Sequence, residues 1–282
     1  MRRSLSFALV VLASSAVFGA ILWSVPGAAQ RAAEHGDGSF VAWLISFWKG
    51  VATGDLGRSY RGVPVHEMVW RGALQSLPLI SAALLLSLSS GLAVVLVLGD
   101  RLGAMGRVLR ALVHMASLCP VFLLGYLGLV LFAVPPDGPW QSLAAVVILA
   151  VGDGMLSDVL LGLDSEVRRL RSRDFVQSAR LRGTPLWRHY GPHLALPIAQ
   201  IGASRTAWLI GGVLVLEMVL GIQGLGLIGY RAADTADLPL LVAITVFVTA
   251  LVAGTSLLVD VLRVLVDPRV RKDRRSVARD GR

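Results

Sequence analysis

The sequence predicts an all-α integral membrane protein with about six spanning helices, and three observations carry that prediction. Hydrophobic residues make up 55% of the 282 positions, charged residues only 16%, and mean hydropathy is +0.70, whereas about a quarter of a soluble domain is charged. The apolar residues fall into runs of ~20 or more, long enough to cross a bilayer with every backbone group satisfied inside a helix. The net charge of +9 sits in short segments between those runs. Nucleic-acid binding would need a basic face interleaved with aromatics, so that class is set aside. The single cysteine, Cys119, lies inside an apolar run, which excludes a disulfide within the chain and a cysteine metal cluster.

The first run, residues 5–25, follows a basic start at Arg2 and Arg3. The small residues Pro26-Gly27-Ala28-Ala29 resemble a signal-peptidase site, but the run is longer than the ~7–15 residues of a signal peptide, and a retained helix is expected. Residues 27–72 form a mixed polar segment, expected to be external. It contains a short apolar stretch, 40–51, too short to span ~30 Å of hydrocarbon. That stretch reads as an interfacial or packed helix, with Trp43, Phe47 and Trp48 suited either to headgroup level or to plain packing. Further spans are expected at 74–98, 109–134, 143–163, 198–222 and 238–266.

Six spans place both termini on one side. The segments 100–107, 164–197 and 267–282 hold most of the arginines, among them Arg101, Arg107, Arg168, Arg169, Arg171, Arg173, Arg180, Arg182, Arg188, Arg269 and Arg271. The linkers after the third and fifth runs contain only Arg231. That bias puts the arginine-rich loops and both termini in the cytoplasm.

The loop 164–197 is the longest polar segment between two spans. Asp174 to Arg182 reads as a short helix with acidic start and basic end, matching the helix dipole. Gly183 stops it, and Thr184-Pro185 starts a second helix, with Thr184 a plausible cap and proline in the first turn. A basic loop of this kind equally suits anchoring to anionic lipid headgroups.

No enzyme signature is present. The only lysines, Lys49 and Lys272, precede Gly and Asp, so there is no G-x-x-x-x-G-K-[ST] phosphate loop, and neither H-E-x-x-H nor G-x-S-x-G occurs. The histidines His35, His66, His114, His189 and His193 are scattered, and no metal site is expected. The informative polar residues are charges inside apolar runs, which cost about 2.5–3.5 kcal/mol each to insert and tend to face a partner or a water-filled path. Asp153, between Gly152 and Gly154, is read as lining a path that favours a cationic group, or as pairing with a partner subunit. Asp158 joins it in interrupting the fourth run. Glu217 is read as a path residue, or as a solvated charge at a helix end. Arg205, twelve residues before Glu217, is too far along the helix to pair with it. Asp260 and Arg263 have the spacing of a local pair.

These residues carry a resemblance. Asp174, Phe175, Val176, Ala179, Arg180, Gly183, His193, Leu196 and Pro197 resemble the cytoplasmic loop of ATP-binding-cassette importer permeases of the dipeptide, oligopeptide and nickel family. Gly54 to Tyr60 resembles that family's external segment, Pro120 to Phe122 the start of a motif in its third helix. Glu217-Met-Val219 with Gly224-Leu225-Gly226 resembles the end of its fifth helix, and Asp267 to Arg271 its closing pattern. Leu220 stands where an aromatic is common and Gln223 where proline is common.

The resemblance implies a type I importer permease in a bacterial inner membrane, multi-pass and not itself an enzyme. It implies a coupling helix in the 174–197 loop, with Asp174, Phe175, Ala179, Arg180, Gly183, His193 and Pro197 docking to ATPase subunits. The implied partners are a second homologous permease, two ATP-binding subunits that hold ATP and Mg, an external solute-binding protein and membrane lipid. The implied cargo is a small solute, foremost peptides or nickel. The rival reading is a self-contained membrane channel or scaffold without ATPases; an exporter is disfavoured by the loop pattern.

Overall fold

The computed structural model describes residues 2–24, 39–98, 108, 111–115, 117–132, 138–173 and 186–266. The secondary structure among them is helical apart from an isolated bridge between Arg58 and Pro64. Helix α1 is Arg2–Trp23. Its serines stay satisfied in an apolar helix by bonding back to the preceding turn, Ser14 to the Val11 carbonyl at 2.9 Å and Ser15 to Leu12 at 2.8 Å.

Helix α2, Phe40–Thr53, starts at an N-cap on Ser39, whose hydroxyl accepts from the Ala42 amide, and stops at Gly54 in the left-handed region with φ 80°. Of the two readings of its aromatics, Trp43 and Phe47 follow packing. Both are buried, in a core with Val65, Val69, Ala73, Leu225 and Leu238, and Trp23, Phe40, Trp43, Phe47 and Trp48 form a chain of ring contacts 5.6–6.3 Å apart.

Helix α3, Val65–Ala93, continues into a π-helical turn, Val94–Leu98. It begins nine residues before the expected 74, inside the segment read as a linker. Val65, Val69 and Ala73 are buried at four-residue spacing, while His66, Trp70 and Arg71 are exposed. The polar residues that interrupt hydropathy are therefore the outer face of an amphipathic helix.

Two expected spans are broken. The run 109–134 is not one helix: the backbone leaves helical geometry at Leu118–Pro120, and α4 occupies only Val121–Phe132. Proline lacks the N–H that would continue the helix and biases the residue before it away from helical geometry. The run 143–163 divides into α5, Pro139–Val151, and α6, Met155–Arg171, bent by 50°. Between them Asp153 and Gly154 both have positive φ, 50° and 76°. Helix α6 also extends into the segment read as loop, where i,i+4 and i,i+3 pairs support it, Asp164 with Arg168 at 2.8 Å and Glu166 with Arg169 at 2.7 Å.

Helix α7 is Leu186–Leu220. The helix expected from Thr184-Pro185 and the span expected at 198–222 are thus one continuous element, despite Pro192 and Pro197. Helix α8, Leu225–Asp234, was not expected, and α9, Leu238–Val266, matches its run. Among the described residues, four helices are long and apolar enough to cross a membrane, or five if the bent α5–α6 pair is one span. The difference from six lies in the broken third run.

The chain clusters into two compact units: Met1–Ser81, Gly125–Ala145 and Ile210–Gly254 in the first, Ala82–Leu124, Val146–Leu209 and Thr255–Arg282 in the second. The core of the first is the aromatic and aliphatic cluster around Trp43 and Val65. In the second, Val121, Met155, Val159 and Leu163 are buried, and a side chain at Gly91 would collide with Val159.

Candidate functional site

Polar groups inside apolar helices mark the candidate sites, beginning at the α7–α8 turn in the first unit. Helix α7 stops at Gly221, where φ is 76°. The chain then turns and starts α8 at Gly224, an N-cap with no side chain of its own to satisfy the first amides. Glu217, 0% exposed, does that work from the preceding helix. One of its carboxyl oxygens accepts from the Gly226 amide at 2.7 Å, and the other accepts from the Ser76 hydroxyl at 2.6 Å. The Ser76 oxygen in turn accepts from the Leu225 amide at 2.9 Å. An acid at a helix N-terminus also meets the positive end of the dipole. A Cβ at Gly224 would fall on the Glu217 carboxyl and one at Gly226 on the Leu214 backbone, so both glycines are required by closeness. Gln141 donates to the Leu220 carbonyl at 2.6 Å, satisfying the end of α7. Glu217 is therefore not a solvated helix-end charge.

In the second unit, Asp153 sits at the α5–α6 break. Its Oδ1 accepts from the Val121 amide at 3.0 Å, capping α4, while its own amide donates to Cys119 and that of Gly154 to Ser117. The side chain is otherwise exposed. Asp158, in the first turn of α6, pairs with Arg205 of α7 at 2.6 Å, and Arg205 Nε is buried with no partner among the described residues. Nearby in sequence, Ser157 and His114 Nδ1 are 2.6 Å apart. The sequence reading singled out Asp158 and Arg205 separately and missed their pairing. The available signal was their opposite sign within runs otherwise almost free of charge.

The segment after α2 is bonded to the turn between α8 and α9. Asp55 accepts from the Gly57 amide at 3.0 Å, an Asx turn, and Ser59 and the Tyr60 amide donate to the buried carboxyl of Asp237. Ser59, Tyr60 and Asp237, with residues of α8, border a cavity of about 410 Å³. The Tyr60 hydroxyl, by hydrogen bond and charge, raises the already high pKa of Arg61.

Of the expected coupling residues, Asp174, Phe175, Ala179, Arg180 and Gly183 lie outside the described residues. His193 and Pro197 lie on α7, His193 exposed and Pro197 half-buried. Arg263, expected beside Asp260, lies on α9 with its side chain outside the described set. Among the described residues no group of three or more His, Cys, Asp or Glu could hold a metal ion.

The sequence profile of the family described as binding-protein-dependent transport system inner membrane component matches residues 91–272, well over half the chain. The chain belongs to that family. As an inner membrane component of such transporters it is an ABC importer permease, a multi-pass membrane protein and a transport subunit rather than an enzyme. It is 25% identical over 254 residues to a probable peptide ABC transporter permease protein of Sinorhizobium fredii, covering 82% of this chain and 79% of the relative. It is 25% identical over 261 residues to the oligopeptide transport system permease protein of Salmonella typhimurium, covering 86% and 84%. With the dipeptide transport system permease protein of Bacillus subtilis it shares 24% over 250 residues, covering 84% and 81%. The permease family match includes the α5–α6 break, the Asp158–Arg205 pair and the α7–α8 turn.

Proposed function

We propose that this importer permease carries peptides, driven through its 174–197 loop by separate ATP-binding subunits. The observation that supports peptides is that the three relatives above, aligned over more than four fifths of this chain, are peptide, dipeptide and oligopeptide permeases by name; none is named for nickel. Coupling rests on the loop itself, where Asp174, Phe175, Ala179, Arg180 and Gly183 precede α7. His193 and Pro197 fall on α7, and that helix is 35 residues long, about 50 Å at 1.5 Å per residue. Such a helix exceeds ~30 Å of hydrocarbon and would carry motion from the loop into the span as a rigid rod.

In this reading the chain pairs with a second homologous permease and two ATP-binding subunits, which hold the ATP and Mg. An external solute-binding protein delivers the solute. Both termini face the cytoplasm, as the arginine-rich segments favour. ATPase closure pushes the loop, and the helices follow largely as rigid bodies. Asp153, exposed beside its capping bond, remains a candidate to meet a cationic group such as a peptide amino terminus; Glu217, with both oxygens engaged in the α7–α8 turn, acts on any path through that turn.

The test is to purify the tagged chain in mild detergent with its partners and to measure uptake of a labelled dipeptide, alongside Gly183→Arg. The expected outcome is that a subunit with a phosphate-binding loop co-purifies with the native chain, is depleted with Gly183→Arg, and that the variant inserts but does not transport. Normal uptake by the variant, or purification of the native chain alone, overturns the reading.

A further inference from the structure

The cavity bordered by the segment after α2 and by α8 serves none of the roles above, and its lining is unbalanced in charge. Within the first unit it is lined by Arg61, Arg71 and Arg231 against one acid, Asp237. Asp237 is only 2% exposed, and its carboxyl is already engaged by Ser59, by the Tyr60 amide at 3.1 Å and by the Leu240 amide at 3.4 Å. Arg71 is partly neutralised by Glu67 at 2.5 Å.

Among the described residues neither Arg61 nor Arg231 makes an ion pair, and Asp237 acts on Arg61 only as a nearby charge. Arg61 donates Nε to the Tyr60 hydroxyl at 2.6 Å and lies over that ring at 5.3 Å, so its guanidinium is oriented by stacking. Arg231 donates Nη1 to Gln223 at 3.1 Å. A guanidinium has five donors in a planar fork, and each of these arginines uses one, leaving most of the fork for a planar anion. The remaining lining includes Val63, Met68, Ile228 and Leu240. Apolar walls beside a paired guanidinium suit an organic acid rather than a bare inorganic anion, and about 410 Å³ is within the usual range for a small-molecule site.

We infer that this cavity is a binding site for a carboxylate group held between Arg61 and Arg231. The carboxylate has two chemical sources, the free terminus of a short peptide or an acidic side chain on a docked protein segment. The permease reading enters only in the choice of peptide probes.

The experiment uses the full chain in nanodiscs, without nucleotide or ATPase, so that its failure leaves the coupling proposal untouched. Equilibrium dialysis measures tritiated acetyl-Ala-Ala-Ala with a free carboxylate, the same peptide as its amide, acetyl-Ala-Glu-Ala-amide, and inorganic phosphate. Binding of the free acid but not its amide supports the site and assigns it to a chain terminus. Binding of the glutamate peptide supports it and assigns it to an acidic side chain. Arg61→Gln and Arg231→Gln should each raise Kd about tenfold, the effect of losing one charged hydrogen-bonded contact. Arg168→Gln, exposed on α6 in the other unit, should leave Kd unchanged and serves as the control. Equal binding of acid and amide, phosphate binding as tight as either peptide, no binding of any probe, or no effect of the two arginine variants would each overturn the inference.

Discussion

The α7–α8 turn offers a test in which near-isosteric changes should separate cleanly. Ser76→Ala removes one hydroxyl but strands two buried groups, the Glu217 oxygen at 2.6 Å and the Leu225 amide at 2.9 Å. A buried group left without its partner costs about 1–3 kcal/mol, so the loss should total roughly 2–6 kcal/mol. Glu217→Leu fills similar space but strands the Gly226 amide, while Ser76 can still bond back to its own helix, for a loss of about 1–3 kcal/mol. Glu217→Gln should be mild. Its amide oxygen can face Gly226 and its amide nitrogen Ser76, whose hydroxyl oxygen has two lone pairs and still accepts from Leu225. The Ser76 proton turns back to a carbonyl of its own helix and only the second Gln N–H lacks a partner, so the cost should be below about 1.5 kcal/mol. Thermal unfolding of the chain in nanodiscs, followed by circular dichroism, should therefore rank native and Gln above Leu, with Ser76→Ala lowest. A Gln variant as damaged as the Leu variant, or a neutral Ser76→Ala, would refute the claim that this side-chain pair caps α8.

Gly226→Ala should be more severe than any of these, because its Cβ meets Leu214 backbone rather than a side chain that can rotate; loss of folded yield checks it, and native yield would contradict the packing. Asp153→Asn should leave thermal stability unchanged, since Asn keeps the Oδ1 acceptor for the Val121 amide and tolerates positive φ, whereas Asp153→Leu should cost about 0.5–2 kcal/mol as a lost cap. With the fold intact, Asp153→Asn also isolates charge: reduced peptide uptake supports a path role, and unchanged uptake removes it. Arg205→Leu and Asp158→Leu should each destabilise more than the double variant, because one partner alone leaves an unpaired charge; side-chain exposures of 27% and 37% hold the coupling in a thermal-unfolding double-mutant cycle to about 1–3 kcal/mol. Strictly additive losses would show that the pair does not interact.

Hydropathy located what depends on hydropathy alone. The run 238–266 is α9 residue for residue, and α1 lies within two or three residues of its run. It failed where polar residues lie on one face of a helix, as at Val65–Ala73, and where a short amphipathic helix sits in a presumed linker, as α8 does. Breaks inside apolar runs were legible in principle. Cys119-Pro120 and Gly152-Asp153-Gly154 carry the signals, proline and glycine, but a run-length reading weighs total apolarity above them. The candidate site was half legible: Glu217, Asp153, Asp158 and Arg205 were each singled out as charges in apolar surroundings. The pairing of Asp158 with Arg205 was missed, and so was the partner of Glu217, because Ser76 lies 141 residues away and a serine in an apolar run carries no signal of its own.

The intramembrane charges share a physical logic that bears on how this permease could move. Asp153 caps α4 from the α5–α6 break, and Glu217 caps α8 from the end of α7; in both, a carboxyl satisfies amides that a proline or glycine break would leave bare. Water cannot do this inside hydrocarbon. Each break is thereby held at one geometry, and bending it breaks a hydrogen bond, fully buried at Glu217 and partly buried at Asp153. In the proposed coupling the loop before α7 is continuous in sequence with the helix that ends at the α7–α8 turn, so that turn's stiffness bears on uptake. An acid at position 217 would serve transport by keeping that turn stiff, so Glu217→Gln, which keeps the bonds to Gly226 and Ser76, should leave uptake nearly native. Uptake lost in Glu217→Gln at native stability would instead assign the carboxyl a direct role in the path.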